Sequence, residues 1–184
     1  MADDDQGYPR QLASQWLTHS RLFHVEELQL EFSNGEQRTY ERLNPGHNRA
    51  VMIVPILGED TLLLIREYGA GLGRYYLSFP KGAQDAGETL EQTAQRELQE
   101  EAGYAAGSLE KLTELSLSPS YMGNRMHIVL ARDLYPSSLP GDEPEPLEVI
   151  PVKAADFGAI LAGGDFCEAY AVAAWYMVKE RFGW

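Results

Sequence analysis

Between residues 21 and 43 apolar and polar positions alternate: Leu22, Val25, Leu28, Leu30 and Phe32 lead into Ser33-Asn34-Gly35, and a second run continues from Gln37 to Leu43. A period of two is a strand signature, and Asn-Gly supplies the positive φ of a tight turn, so a β-hairpin is predicted. Asn44-Pro45-Gly46 breaks the pattern, which lets the hairpin stand apart from the body of the chain. Residues 50–57 and 61–68 are β-rich runs around Gly58-Glu59-Asp60, too continuous in their apolar residues for half-exposed strands, and predict central strands buried on both faces. Gly69, Gly71 and Gly73 mark a loop, and a short strand over 75–79 stops at Pro80. Over 88–102, Leu90, Ala94 and Leu98 recur every fourth residue and define one apolar helix stripe, with Gly103 as its stop. Further strands are predicted at 109–117, 126–133 and 148–152, with an acidic, proline-rich loop over 136–147. Residues 154–182 read as two helices broken at Gly163-Gly164, the second packing Ala171, Val172, Ala174, Trp175, Tyr176 and Met177 into a core. No repeats are visible. Strands outnumber helices without alternating with them, so a mixed sheet with helices packed against it fits better than a doubly wound parallel sheet.

A chain of 184 residues fits one domain with a small appended element. With 44% hydrophobic and 23% charged residues, it is neither disordered nor fibrous. Charge is more informative. Fifteen Lys and Arg face 28 Asp and Glu, and the net charge of -13 repels nucleic acid and anionic lipid. A small anionic substrate would need bound cations or a local basic patch to reverse that sign at one site. Cys167, the single cysteine, allows neither an internal disulfide nor a cysteine-based zinc cluster, and is expected to be structural or buried in a protein of a reducing compartment. Residues 1–10 open with Asp3, Asp4 and Asp5 and no apolar core, so a frayed tail is expected and not a signal peptide. No apolar run approaches the roughly 18 residues of a membrane span, and a soluble, cytoplasmic protein is expected. His19, His24, His47 and His127 show no metal-ligand or triad spacing and read as structural or surface residues.

The chemistry concentrates in the predicted helix. Glu97, Glu100 and Glu101 stand at i, i+3 and i+4 and share one face. Two readings are open: a solvated acidic face, or a site in which a hard divalent cation offsets the repulsion through oxygen ligands. Mg²⁺, which keeps waters and accepts substrate phosphates, is the natural ion, with Mn²⁺ as its alternative. Gly82 and Gly87 flank a short loop after Pro80 that would bring a strand end, a backbone carbonyl and the helix start together. Arg96 adjoins the cluster and can pair with Glu88 or orient Glu97 through its planar fork.

Residues 82–104 resemble the Nudix box: a glycine, five residues, a glutamate, seven residues, then Arg-Glu-apolar-any-Glu-Glu-any-Gly-apolar. The match runs through Gly82, Glu88, Arg96, Glu97, Leu98, Glu100, Glu101 and Gly103, with Tyr104 where an aliphatic residue is usual. Phe79-Pro80-Lys81-Gly82, Ser118-Pro119-Ser120-Tyr121 and Gly141-Asp142-Glu143-Pro144-Glu145-Pro146 extend the resemblance over about residues 20–180. They resemble the ADP-sugar pyrophosphatase branch and, most closely, the bacterial hydrolases of ADP-linked compounds. The resemblance implies an α/β Nudix fold, an α/β/α sandwich around a mixed sheet with an N-terminal β-hairpin extension. Residues 1–45 would form a tail and hairpin that serve dimerisation, and 46–184 the hydrolase domain. It also implies a Mg²⁺-dependent pyrophosphohydrolase that releases AMP from ADP-ribose, NADH or diadenosine polyphosphates, acting as a homodimer on a small nucleotide. By the same resemblance Glu97 and Glu101 would be the principal metal ligands, with Glu100 direct or through water and the Lys81 carbonyl a further donor. Arg96 would hold the glutamates and Glu88 would brace the loop. Glu145 is favoured as the general base, with Glu143 as a metal-side helper or the base itself; the bland alternative is an exposed acidic loop.

Substrate contacts are more open. Arg66 is displaced from the arginine position of ADP-ribose members and can reach a phosphate or pair with Glu67 or another carboxylate. Arg38 and Tyr40 can supply a cation and a stacking ring across a dimer, or belong to an ordinary strand. Tyr121 can contact the ribose or nicotinamide side. Two other functions compete: a Nudix hydrolase of nucleoside triphosphates or nucleotide sugars, and a non-catalytic nucleotide-binding module.

Overall fold

In the computed structural model, which describes residues 7–43 and 49–184, the hairpin is part of a three-stranded antiparallel sheet: β1 (Arg10–His19), β2 (His24–Glu31) and β3 (Gln37–Leu43). Gly35, at φ +82°, closes the predicted turn, its amide donating to the Phe32 carbonyl at 2.9 Å. β1 escaped the pattern for a physical reason. All ten of its residues are exposed, and its register against β2 shifts between Gln11 and Ala13 and again between Trp16 and Thr18. Each irregularity resets the two-residue period on which strand recognition depends. Ser116–Asn124 joins this first compact unit, where Leu43 bridges Met122 and its amide donates to the Tyr121 carbonyl at 2.7 Å. The Asn44-Pro45-Gly46 break, His47 and the first six residues of the expected tail lie outside the described residues.

The second unit, Arg49–Leu115 with Arg125–Trp184, holds β4 (Arg49–Leu57), β5 (Thr61–Gly69), β6 (Arg74–Ser78), β7 (Lys81–Ala83), α1 (Leu90–Glu101), β8 (Tyr104–Leu115), β9 (Arg125–Pro136), β10 (Glu148–Lys153), α2 (Phe157–Gly163) and α3 (Ala169–Phe182). The sheet order is β10-β5-β4-β9-β8, with β6 on β5 and β7 on β4; β4 and β9 run parallel and the remaining pairs antiparallel. This is the expected mixed sheet. β8 begins directly after Gly103, earlier than predicted, because Ala105 and Ala106 are buried yet too small to give a strand signal.

Alternation along β4 decides the layering. Val51 and Ile53, with Val129 and Ala131 of β9, pack against Ala94 and Leu98 of α1. Met52, Val54 and Ile56, with Ile128 and Leu130, pack on the opposite face against Phe157, Ala171, Ala174, Trp175 and Val178. Strands buried on both faces between helices make the α/β/α sandwich. Phe157 and Trp175 stack at 3.9 Å between centroids, which ties α2 to α3. Ala171, Ala174 and Trp175 are buried as expected, whereas Tyr176 is exposed. Cys167 corrects an expectation: it is exposed, with its Sγ 3.6 Å from the Arg74 guanidinium, because the loop before α3 buries Phe166 in its place.

Leu98 is fully buried under the helix that carries the glutamates. Leu98→Ala is expected to cost about 2–5 kcal/mol of stability, read by urea denaturation as a lower midpoint with an unchanged slope.

Candidate active site

α1 is held at both ends before any glutamate is considered. Thr89 and Gln92 form a capping box: the Thr89 hydroxyl accepts from the Gln92 amide at 3.3 Å, and the Gln92 side chain accepts from the Thr89 amide at 2.8 Å. Gln95 brackets Ala106 of β8 with two bonds of 2.9 Å. Gly103, at φ +72°, lets the chain reverse directly into β8.

Arg96 uses all five of its donors on this frame. Nε and Nη2 reach the two oxygens of Glu88 at 2.9 and 3.1 Å. Nη1 reaches Glu97 at 2.7 Å and Glu100 at 3.0 Å, and Nη2 also donates to the Ala83 carbonyl at 3.0 Å. The two roles open to Arg96, pairing with Glu88 and orienting Glu97, are therefore filled together. Arg96, joined by the Thr93 hydroxyl and the Asp85 amide, holds the Glu88 carboxyl down to about 2. Glu101 accepts the Lys81 amide at 2.8 Å, yet burial pushes it up to about 8, and burial likewise raises Glu97. A Cβ on Gly82 would overlap the Glu97 carboxylate, so only glycine allows this approach.

Beneath the glutamates lies a second charged group. The Lys81 ammonium pairs with Glu67, stands 3.7 Å from Glu168 and lies 5.5 Å from the centroid of the Tyr76 ring. Burial works against that ammonium, but Glu168 and Glu67 outweigh it and push Lys81 above the ordinary lysine range. Ser78 donates to Glu168 at 2.7 Å.

These elements open on a cleft of about 850 Å³. Lys81, Arg96, Glu97, Glu100 and Glu101 line it together with residues 140–147, among them Asp142, Glu143 and Glu145. The volume suits a nucleotide-sized ligand. Among the described residues no three acids, histidines or cysteines are gathered into a finished metal cage; the glutamates rest on Arg96 and the Lys81 amide. Mg²⁺ does not need such a cage, since one or two carboxylates, waters and substrate phosphates complete its shell. Lys81 and Arg96 are the lining cations against Asp85, Glu97, Glu100, Glu101, Asp142, Glu143 and Glu145. The lining is rich in carboxylate oxygens and carries two cations against seven acids, a donor set that fits a hard divalent ion.

Lys81, Arg96, Glu97, Glu100, Glu101, Glu143 and Glu145 thus come together around one cleft. Arg66 does not line it; its Nε pairs with Glu148 at 2.9 Å, the carboxylate alternative left open for it. Arg38, Tyr40 and Tyr121 belong to the first unit. There Arg38 pairs with Glu36 at 2.7 Å, Tyr40 packs on Phe32, and Tyr121 is exposed. Sequence reasoning missed Glu67, Glu168, Tyr76 and Tyr75, whose hydroxyl donates to Glu145 at 2.5 Å. The charged pair Arg66-Glu67 inside a strand that begins with an apolar run is a signal for Glu67; the others have none short of the fold.

A model of the NUDIX domain matches residues 46–165, and one of the NudE-type Nudix hydrolase N-terminal domain matches residues 9–42. The chain is 49% identical to ADP compounds hydrolase NudE of Escherichia coli (strain K12), over 94% of this chain and 92% of that one. It is 30% identical to an ADP-ribose pyrophosphatase of Bacillus subtilis (strain 168), over 72% and 71%. A crystal structure of an ADP compounds hydrolase superposes with a TM-score of 0.89 at 48% identity, covering 95% of this chain and 94% of that one.

The depressed Glu88 sets a pH dependence. A carboxylate whose folded value lies below its unfolded value stabilises the fold above the unfolded value, and that contribution disappears as pH falls through the folded one. Glu88→Gln is expected to cost about 2 kcal/mol near neutral pH, after allowance for screening at this part-exposed pair. The difference from wild type should shrink between about pH 4.5 and 2, measured by thermal denaturation across that range.

Proposed function

The chain belongs to the Nudix hydrolases, and we propose that it is a Mg²⁺-dependent pyrophosphohydrolase of ADP-linked compounds, releasing AMP from ADP-ribose, NADH or diadenosine polyphosphates. One observation carries this reading: the Arg96-braced glutamates and an acidic loop line one cleft of nucleotide size. The names of the relatives point to the same substrate class.

Glu97 and Glu101 would hold the ion, with Glu100 and the Lys81 carbonyl as additional oxygen donors. When bound, Mg²⁺ supplies Lewis acidity and offsets charge on the diphosphate oxygens. Arg96 keeps Glu97 and Glu100 in one orientation, and Glu88 keeps Arg96. Glu145 takes the proton from the water that attacks phosphorus in line, while Glu143 helps on the metal side; the bridging P–O bond breaks, the water oxygen stays on the attacked phosphorus, and AMP leaves with the phosphorylated remainder of the substrate, which is ADP for diadenosine triphosphate. Arg38, Tyr40 and Tyr121 are the candidate nucleotide contacts of the first unit. Arg66 serves the fold through Glu148 in this reading. Exposed Trp16, Leu17, Leu22 and Phe23 in residues 7–43 support a homodimer formed through that sheet. The net charge of -13 speaks against nucleic acid as a partner. No helix among the described residues is long and apolar enough to cross a membrane.

The direct test incubates the protein with ADP-ribose, NADH and diadenosine triphosphate, with and without Mg²⁺, and reads AMP by chromatography. Metal-dependent AMP is expected from at least one; none from a folded protein would overturn the reading. Glu101→Gln should remove most turnover while circular dichroism stays native. Glu145→Gln should lower kcat by about 10²–10⁴-fold, and full turnover would sink its assignment as the base.

A further inference from the structure

The acidic wall of the cleft is tethered unevenly. At its start the Ser137 amide donates to the Gly103 carbonyl at 3.0 Å, the Leu139 amide to the Gln99 carbonyl at 3.2 Å, and the Gln99 side chain to the Ser137 hydroxyl at 2.7 Å. At its end Glu148 enters the sheet opposite Arg66 and pairs with it. Among the described residues, the hydrogen bond that reaches residues 140–147 from the rest of the unit is the one from the Tyr75 hydroxyl to Glu145. Pro140, Pro144 and Pro146 remove amide donors from this stretch, so its backbone is poorly equipped to tie itself down.

Tyr75 is itself well placed. It stands opposite Tyr68 in the ladder between β6 and β5, and the two rings meet edge-on at 5.5 Å between centroids. Seventy residues of chain separate it from Glu145, so the contact is a product of the tertiary fold. A phenol bound to a carboxylate makes a short, charge-assisted hydrogen bond. The same bond keeps the phenol protonated, above the ordinary tyrosine range.

We propose that Tyr75 is a positioning residue that holds the Glu145 carboxylate on the cleft wall, where it can accept a proton; this rests on the reading of Glu145 as the base. Tyr75 lies outside the lining of the cleft, and its effect on the reaction passes through Glu145.

Tyr75→Phe removes one oxygen and keeps the ring on Tyr68. It is expected to lower kcat about tenfold with KM changed by less than about twofold, since a small misplacement of a reacting group is costly to rate. Hydrogen exchange in peptides spanning residues 140–147 should quicken. In the Glu145→Gln background the same substitution should lower kcat no further. Wild-type kcat and wild-type exchange in Tyr75→Phe would overturn the proposal, as would an undiminished tenfold loss in the Glu145→Gln background. Full turnover in Glu145→Gln alone would overturn the base assignment and the catalytic meaning of the tether with it, whether or not exchange still responds to Tyr75→Phe.

Discussion

The guanidinium of Arg96 makes the site possible. Three carboxylates and a carbonyl converge on one planar cation, and no other residue type offers five donors in a fixed fork. Without it, Glu97 and Glu100 would repel across one helical turn while Glu97 sat almost buried. The bond to the Ala83 carbonyl also fastens the helix to the strand before it, so the electrostatics and the mechanics of the site share one side chain.

That arrangement asks much of its surroundings. Arg96 can brace Glu97 only because Gly82 lets the backbone approach the carboxylate, and Gly82 is in place because β7 pairs with β4 through Val51. The outer face of α1 is ordered by its inner face, where Ala94 and Leu98 meet Val51 and Ile53. Packing of ordinary aliphatic residues on one side thus sets the position of unusually placed charges on the other.

The helix and its glutamate face were legible because fixed spacing on a helix is fixed geometry: residues 88–103 determine their own arrangement with little outside help. The central strands were legible from continuous apolar runs, and the hairpin turn from Asn34-Gly35. Where recognition failed, long-range structure had overridden the local signal. β1 loses its alternation to two register shifts, and β7, only three residues long, exists through its pairing with β4. Arg66 could have reached a phosphate or a carboxylate, and the register of β10 on β5 brought it Glu148. Cys167 is exposed because Phe166 takes the neighbouring buried place. The Lys81, Glu67 and Glu168 cluster joins three elements far apart in the chain, and no window of sequence contains it.

The acidic segment follows β9, is tied to the C-terminal end of α1 through Ser137 and Leu139, and re-enters the sheet at Glu148. Both anchorages belong to the frame that carries the glutamates of α1. The stretch between them therefore works as a ruler. Its residue count sets how far a carboxylate projects toward the helix, and each added pair of residues, one on either limb, can extend that reach by up to about 3.3 Å. A longer or shorter stretch would move its carboxylates relative to α1 and leave the Arg96 brace as it is.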